Sequence, residues 1–249
     1  MKNIENNSCI IYHFVMKTAE SRSKSAEICE KIARKAVVPK GRTLTEVIMS
    51  FRSHRSHQKR YHLPLLFRIQ DNIDEISVED MQVFYMNVEQ ESDKIILYLH
   101  GGAYVEKMLP FHWLMLDKIS QRCTHTMIIP DYPLAPMADW QKCYEKMTII
   151  YQKILKYYGN RKIILMGDSA GGGLAAGLTM YWHSVNLRCP DKLILLSPWV
   201  DLSMDNPEMQ KYAPLDPTCN HDELKVDGEF WANGTSLKDY RISPLYGDM

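Results

Sequence analysis

The sequence predicts an α/β domain built on a mostly parallel sheet. From about residue 78 onward, apolar runs of strand length alternate with stretches of helical period. Residues 95–99 and 162–166 are apolar without a break, as expected of strands covered on both faces. Both runs end in glycine-rich turns, His100-Gly101-Gly102 and Gly167-Asp168-Ser169-Ala170-Gly171. Ligands of parallel α/β sheets gather at such carboxyl ends.

Taken in order, residues 1–16 are expected to form a disordered leader, and 17–75 a helical segment. Ile28, Ile32 and Ala36 share one helix face, and Leu44, Val47, Ile48 and Phe51 recur at helical spacing. Pro39-Lys40-Gly41 separates the two helices, and Thr43 or Thr45 can cap the second. The basic tract 52–60 reads as a solvated helix face, with His54 and His57 lacking a Cys or carboxylate to complete a metal site. The incomplete core, 76–249, opens with the strand-like run 81–88, followed by strand 95–99, a helix near 111–122 and strand 126–129. Trp140, Cys143, Tyr144, Met147, Tyr151, Ile154 and Leu155 keep helical spacing, and Gly159 suits the helix end. Strand 162–166, a helix over 170–185 and strand 193–196 complete the alternation.

At 249 residues the chain is long enough for one domain with a substantial core. Thirty basic residues balance thirty acidic ones, so nothing global points to nucleic acid or an anionic membrane. No apolar run approaches the ~20 residues of a membrane span. The short stretch 9–16 has neither the flanks nor the cleavage site of a signal peptide. The six cysteines show no pairing or metal spacing, which favours reduced thiols and a cytoplasmic location. No cofactor and no metal is called for.

The pattern at 167–171 has the chemistry of a nucleophile elbow. A serine on a sharp strand-to-helix turn needs glycine two positions before and after, because side chains there would clash. The helix starting at Ala170 aims free N–H groups toward the same point. The Gly101 and Gly102 amides can converge with that of Ala170, making Ser169 the expected nucleophile beside an oxyanion hole. His100 is expected to hydrogen-bond backbone and fix the glycine loop, and Asp168 to fix a loop rather than react.

Together with Asp131-Tyr132-Pro133-Leu134-Ala135-Pro136, these motifs occur in the order and spacing seen in hormone-sensitive-lipase-like esterases, which the chain resembles over about residues 78–249. Ser197-Pro198-Trp199-Val200-Asp201-Leu202 and Ser243-Pro244-Leu245-Tyr246-Gly247-Asp248 look like later family segments. The resemblance implies an α/β-hydrolase fold and a carboxylic-ester hydrolase acting on short or medium acyl chains through an acyl-enzyme. It implies a cap supplied by helices in 17–75 and by 203–240. Position by position, Ser169 matches the nucleophile, and Gly101, Gly102 and Ala170 the oxyanion donors. Asp131 and Tyr132 match a segment that supports the active-site loops. Ala103 replaces a third glycine, and Met137 stands where the family has glutamate.

An activated serine also needs a base and an orienting acid. In the family these follow two later strands, which would come after Asp248. The usual Asp and His loops and last strands therefore have no counterpart in these 249 residues. His183 lies fourteen residues along the elbow helix, roughly 20 Å away, and His221 falls in the expected cap segment. The resemblance thus implies a weak or inactive esterase, or a non-catalytic ligand-binding relative, or another acyl or amide hydrolase on the same fold. A small-molecule ester is the expected partner, and an unpaired sheet edge favours self-association as a homo-oligomer.

Overall fold

A computed structural model describes Lys31, residues 60–64, Phe67, 73–88, 91–213, 216 and 219–248. The leader 1–16 and almost all of the expected helical segment, His54 and His57 included, lie outside the described residues. The sheet has six strands in the order β1-β2-β4-β3-β5-β6. They are β1 (Ile73–Val78), β2 (Met81–Met86), β3 (Lys94–Leu99), β4 (Thr126–Pro130), β5 (Lys162–Asp168) and β6 (Lys192–Leu196). β2 pairs antiparallel with β1 and with β4, and every pairing from β4 to β6 is parallel. β1 corrects the expected boundary, because the helical segment was drawn to residue 75 and Ile73–Glu75 belong to this strand. Its side chains are mostly exposed, so it carries little apolar signal to separate it from the helices before it.

The helices are α1 (Pro110–Ser120), α2 (Trp140–Tyr158), α3 (Ser169–Ser184), the short α4 (Met209–Tyr212) and α5 (His221–Ala232). The unbroken apolar strands divide their side chains between two cores. Ile95, Leu97 and Leu99 join Ile163 and Leu165 under α2 and α3, where Tyr151, Leu174, Leu178 and Trp182 pack. Ile96 and Tyr98 face the other way, with Ile164 and Met166, onto Trp113 and Leu116 of α1. Alternate residues of a strand point to opposite faces, so covering both faces demands apolar residues at every position.

α2 begins where Asp139 accepts a hydrogen bond from the Lys142 N–H at 2.9 Å. The segment 203–240 is more than a cap. Trp231 and Ala232 of α5 are buried in the main core, the Trp140 indole donates to Thr235 Oγ1 at 2.9 Å, and the Tyr144 hydroxyl donates to the Arg241 carbonyl. At the sheet margin, β6 alternates between exposed and half-buried residues, with Ile194 and Leu196 exposed. No helix among the described residues is long and apolar enough to cross a membrane.

Candidate active site

β5 passes directly into α3 at Ser169, whose φ of +50° is left-handed. For a residue with a side chain this conformation costs on the order of 1–2 kcal/mol, and surrounding packing must enforce it. The enforcement is visible at Gly171, where a Cβ would overlap the carbonyl oxygens of Leu99 and His100. The elbow thus brings α3 against the end of β3 at a distance that only glycine permits. Ser169 is half-buried, and among the described residues nothing hydrogen-bonds its hydroxyl. Its carbonyl accepts from Trp199 N–H at 2.8 Å, which fixes the late segment 197–202 beside the turn. Asp168 makes no side-chain cap on α3, so the first N–H groups, Ala170's among them, point out of the helix end.

The loop after β3 has its own strain. Gly102 has φ +127°, and Ala103 and Tyr104 are left-handed at +52° and +65°. A Cβ on Gly102 would come within 2.6 Å of the Glu106 carbonyl oxygen. The Gly102 carbonyl accepts from Val105 and Glu106 N–H at 2.9 and 2.8 Å, tying the loop into a tight turn. Tyr104 is locked by stacking on Trp231, with ring centroids 4.3 Å apart.

One expected oxyanion donor is corrected. The Gly101 N–H donates to Asp168 Oδ1 at 3.0 Å, so it is engaged rather than free. The parallel register pairs Leu99 with Gly167, which sets the Asp168 carboxylate beside the start of the glycine loop. The N–H groups of Gly102 and Ala103 have no partner among the described residues.

Asp168 is the hub of a network that the sequence only half revealed. Oδ1 also accepts from the Tyr98 hydroxyl, and Oδ2 lies 3.3 Å from His112 Nε2. His112 Nδ1 accepts the Leu109 N–H at 2.9 Å, which leaves the ring hydrogen on Nε2, directed at the carboxylate. Burial would raise the Asp168 pKa, but hydrogen bonds from His112, Tyr98 and Gly101 outweigh it and hold the carboxyl below its ordinary range. His112 and Tyr98 were not singled out from sequence. Tyr98 hides in an apolar strand, and His112 is a single histidine in an apolar helix; the one available signal was a buried polar tip needing a partner.

His100 is fully buried, stacked on Tyr132 with ring centroids 4.4 Å apart, and its Nδ1 lies 2.7 Å from the Gly101 carbonyl. Burial, opposed by that backbone bond, lowers its pKa to about 4 and keeps the ring neutral. The Tyr132 hydroxyl donates to the His100 carbonyl at 2.5 Å, and Asp131 pairs with Lys107 at 2.6 Å. His183 is exposed near the far end of α3, and His221 Nε2 lies 3.4 Å from the Met204 carbonyl. Met137 is exposed, without a printed polar role.

The match with known proteins agrees with this geometry. A family model described as alpha/beta hydrolase fold matches residues 96–249. LipR of Mycobacterium tuberculosis, named an acetyl-hydrolase, is 31% identical over 155 residues, covering 62% of this chain and 50% of LipR. An esterase of Acinetobacter venetianus is 26% identical over 66% of this chain and 55% of its own length. The chain therefore spans about half the length of these curated relatives. A crystal structure described as an esterase from Staphylococcus aureus superposes with a TM-score of 0.81 at 28% identity, covering 87% of this chain and 76% of that one. A bacterial esterase of the hormone-sensitive lipase family gives 0.72 at 25% identity, over 91% and 75%. With its strand–serine–helix turn and glycine loop in place, the chain belongs to the α/β-hydrolase family, among the hormone-sensitive-lipase-like esterases.

Proposed function

We propose that the chain is a serine carboxylic-ester hydrolase for short to medium acyl esters, with Ser169 forming the acyl-enzyme. The observation that carries this reading is the left-handed Ser169 at the mouth of an uncapped helix. In that position the Ala170 N–H, with those of Gly102 and Ala103, serves the developing oxyanion, and Gly101 holds the loop through Asp168. The names of the relatives, acetyl-hydrolase and esterase, support the substrate class. The cysteines described are free, which suits a reducing cytoplasm.

Attack by Ser169 requires a base that takes its proton, and none of the described histidines hydrogen-bonds the hydroxyl. The 249 residues by themselves therefore turn esters over weakly, and a ligand-binding role without turnover is the second reading. Hydrolysis of p-nitrophenyl acetate and butyrate by the purified chain, beside Ser169→Ala, tests both. Slow release of p-nitrophenol abolished by Ser169→Ala supports the serine mechanism. Release that is equal in the two proteins overturns it.

A further inference from the structure

A cleft of about 720 Å³ lies along the loops 105–109 and 131–138 and the start of β2, and Ser169, Gly101, Gly102 and Ala170 are not in its walls. This volume suits a small organic ligand. Its apolar lining includes Met81, Val105, Met108 and Leu134, and its wall carries the Lys107–Asp131 pair. The Asp131 side chain is only 9% exposed. Lys107 occupies Oδ2, while Oδ1 is buried without a hydrogen-bond partner among the described residues. An acceptor in that state is costly unless a donor arrives.

We propose that this cleft binds a hydroxylated amphipathic molecule, whose hydroxyl donates to Asp131 Oδ1 while its hydrocarbon body lies on Met81, Val105, Met108 and Leu134. The charge already present selects the donor. A second ammonium at Asp131 would stand close to Lys107 Nζ, itself 2.6 Å from Oδ2, and the two cations would repel. A hydroxyl satisfies Oδ1 without adding charge. The occupant would also lean on the back of the oxyanion loop, because Val105 and Glu106 donate to the Gly102 carbonyl and Tyr132 to that of His100.

The test is a calorimetric titration of the purified chain with 1,2-hexanediol, beside 1,2-dimethoxyhexane, which keeps the hydrocarbon and loses both donors. The expected result is saturable one-to-one binding of the diol, at least about tenfold tighter than the diether. Met137→Trp, at an exposed position on the cleft wall, should weaken the diol by a similar factor, and Ser169→Ala should leave it unchanged. Equal affinity for diol and diether overturns the proposal, as does absence of saturable binding. Diol binding unaltered by a folded Met137→Trp protein also overturns it. The comparison of the two probes needs no variant, so it decides the matter even if that substitution prevents folding.

Discussion

Asp168 ends β5 and Asp131 follows β4, so the two carboxylates stand at the same edge of the sheet with β3 between them. Both are mostly buried, with side-chain exposures of 19% and 9%. Their surroundings nevertheless push them in opposite directions. Burial raises both, but at Asp168 the donors from His112, Tyr98 and Gly101 prevail and the pKa falls. At Asp131 burial prevails over Lys107, and the pKa rises. The number of hydrogen-bond donors aimed at a carboxylate, more than its depth, decides whether it is an anchor or a burden. The anchor lies under the glycine loop beside Ser169, where misplacement would cost the site its geometry.

The largest effect expected from this contrast is at Asp168. Asp168→Ala leaves the buried His112 and Tyr98 tips and the Gly101 N–H without their acceptor. The cost is about 3–5 kcal/mol, read from urea unfolding at pH 7. Because its folded pKa lies below the model value of 3.8, the contribution of Asp168 is present above that pH and lost as pH falls through the folded pKa. A loss under about 1 kcal/mol would mean that the three donors find water instead, and the contrast with Asp131 would disappear.

Next in size is the pH response of His100, which joins the two ends: its carbonyl is held by Tyr132, and Gly101 beside it is held by Asp168. Its pKa is 6.5 when unperturbed and about 4 in the fold. Between these values the unfolded chain binds a proton that the native chain refuses, so stability falls as pH drops from 6.5 to 4. The full loss is about 3 kcal/mol. His100→Phe keeps a ring against Tyr132 and should flatten this slope, at the expense of the bond to Gly101. Unfolding midpoints measured across that range would show the wild-type slope persisting in the variant if other groups carry it.

Much of this architecture was legible because the motifs coincide with sharp physical constraints. Unbroken apolar runs announced buried parallel strands, and Gly167 and Gly171 announced a turn that would clash with any side chain. β1 was missed because its exposed, charged residues look like the polar face of a helix. Gly101 was expected to serve an oxyanion, but spacing alone cannot say which way an N–H points. That depended on the register of β3 against β5, which sets the Asp168 carboxylate beside it. His112 was invisible for a related reason: its partner lies 56 residues away, and only the packing of α1 on the sheet brings them together.

The smallest effect is expected at Asp131, and it is the sharper test for being small. Its raised pKa means that the native chain takes up a proton more readily than the unfolded one, so its contribution to stability falls as pH rises through the folded pKa. At neutral pH the charge is therefore a burden that Lys107 only partly offsets. Asp131→Asn removes that charge and frees Lys107, which at 26% exposure can turn its ammonium toward water. The variant should unfold within about 1 kcal/mol of wild type at pH 7. The equivalent Asp168→Asn change, which keeps the shape of the side chain but gives up charge-assisted bonds from three donors, should cost about 1–3 kcal/mol. Equal penalties would show that donor number does not separate the two ends of the sheet, and that Lys107 alone holds Asp131 as firmly as His112, Tyr98 and Gly101 hold Asp168.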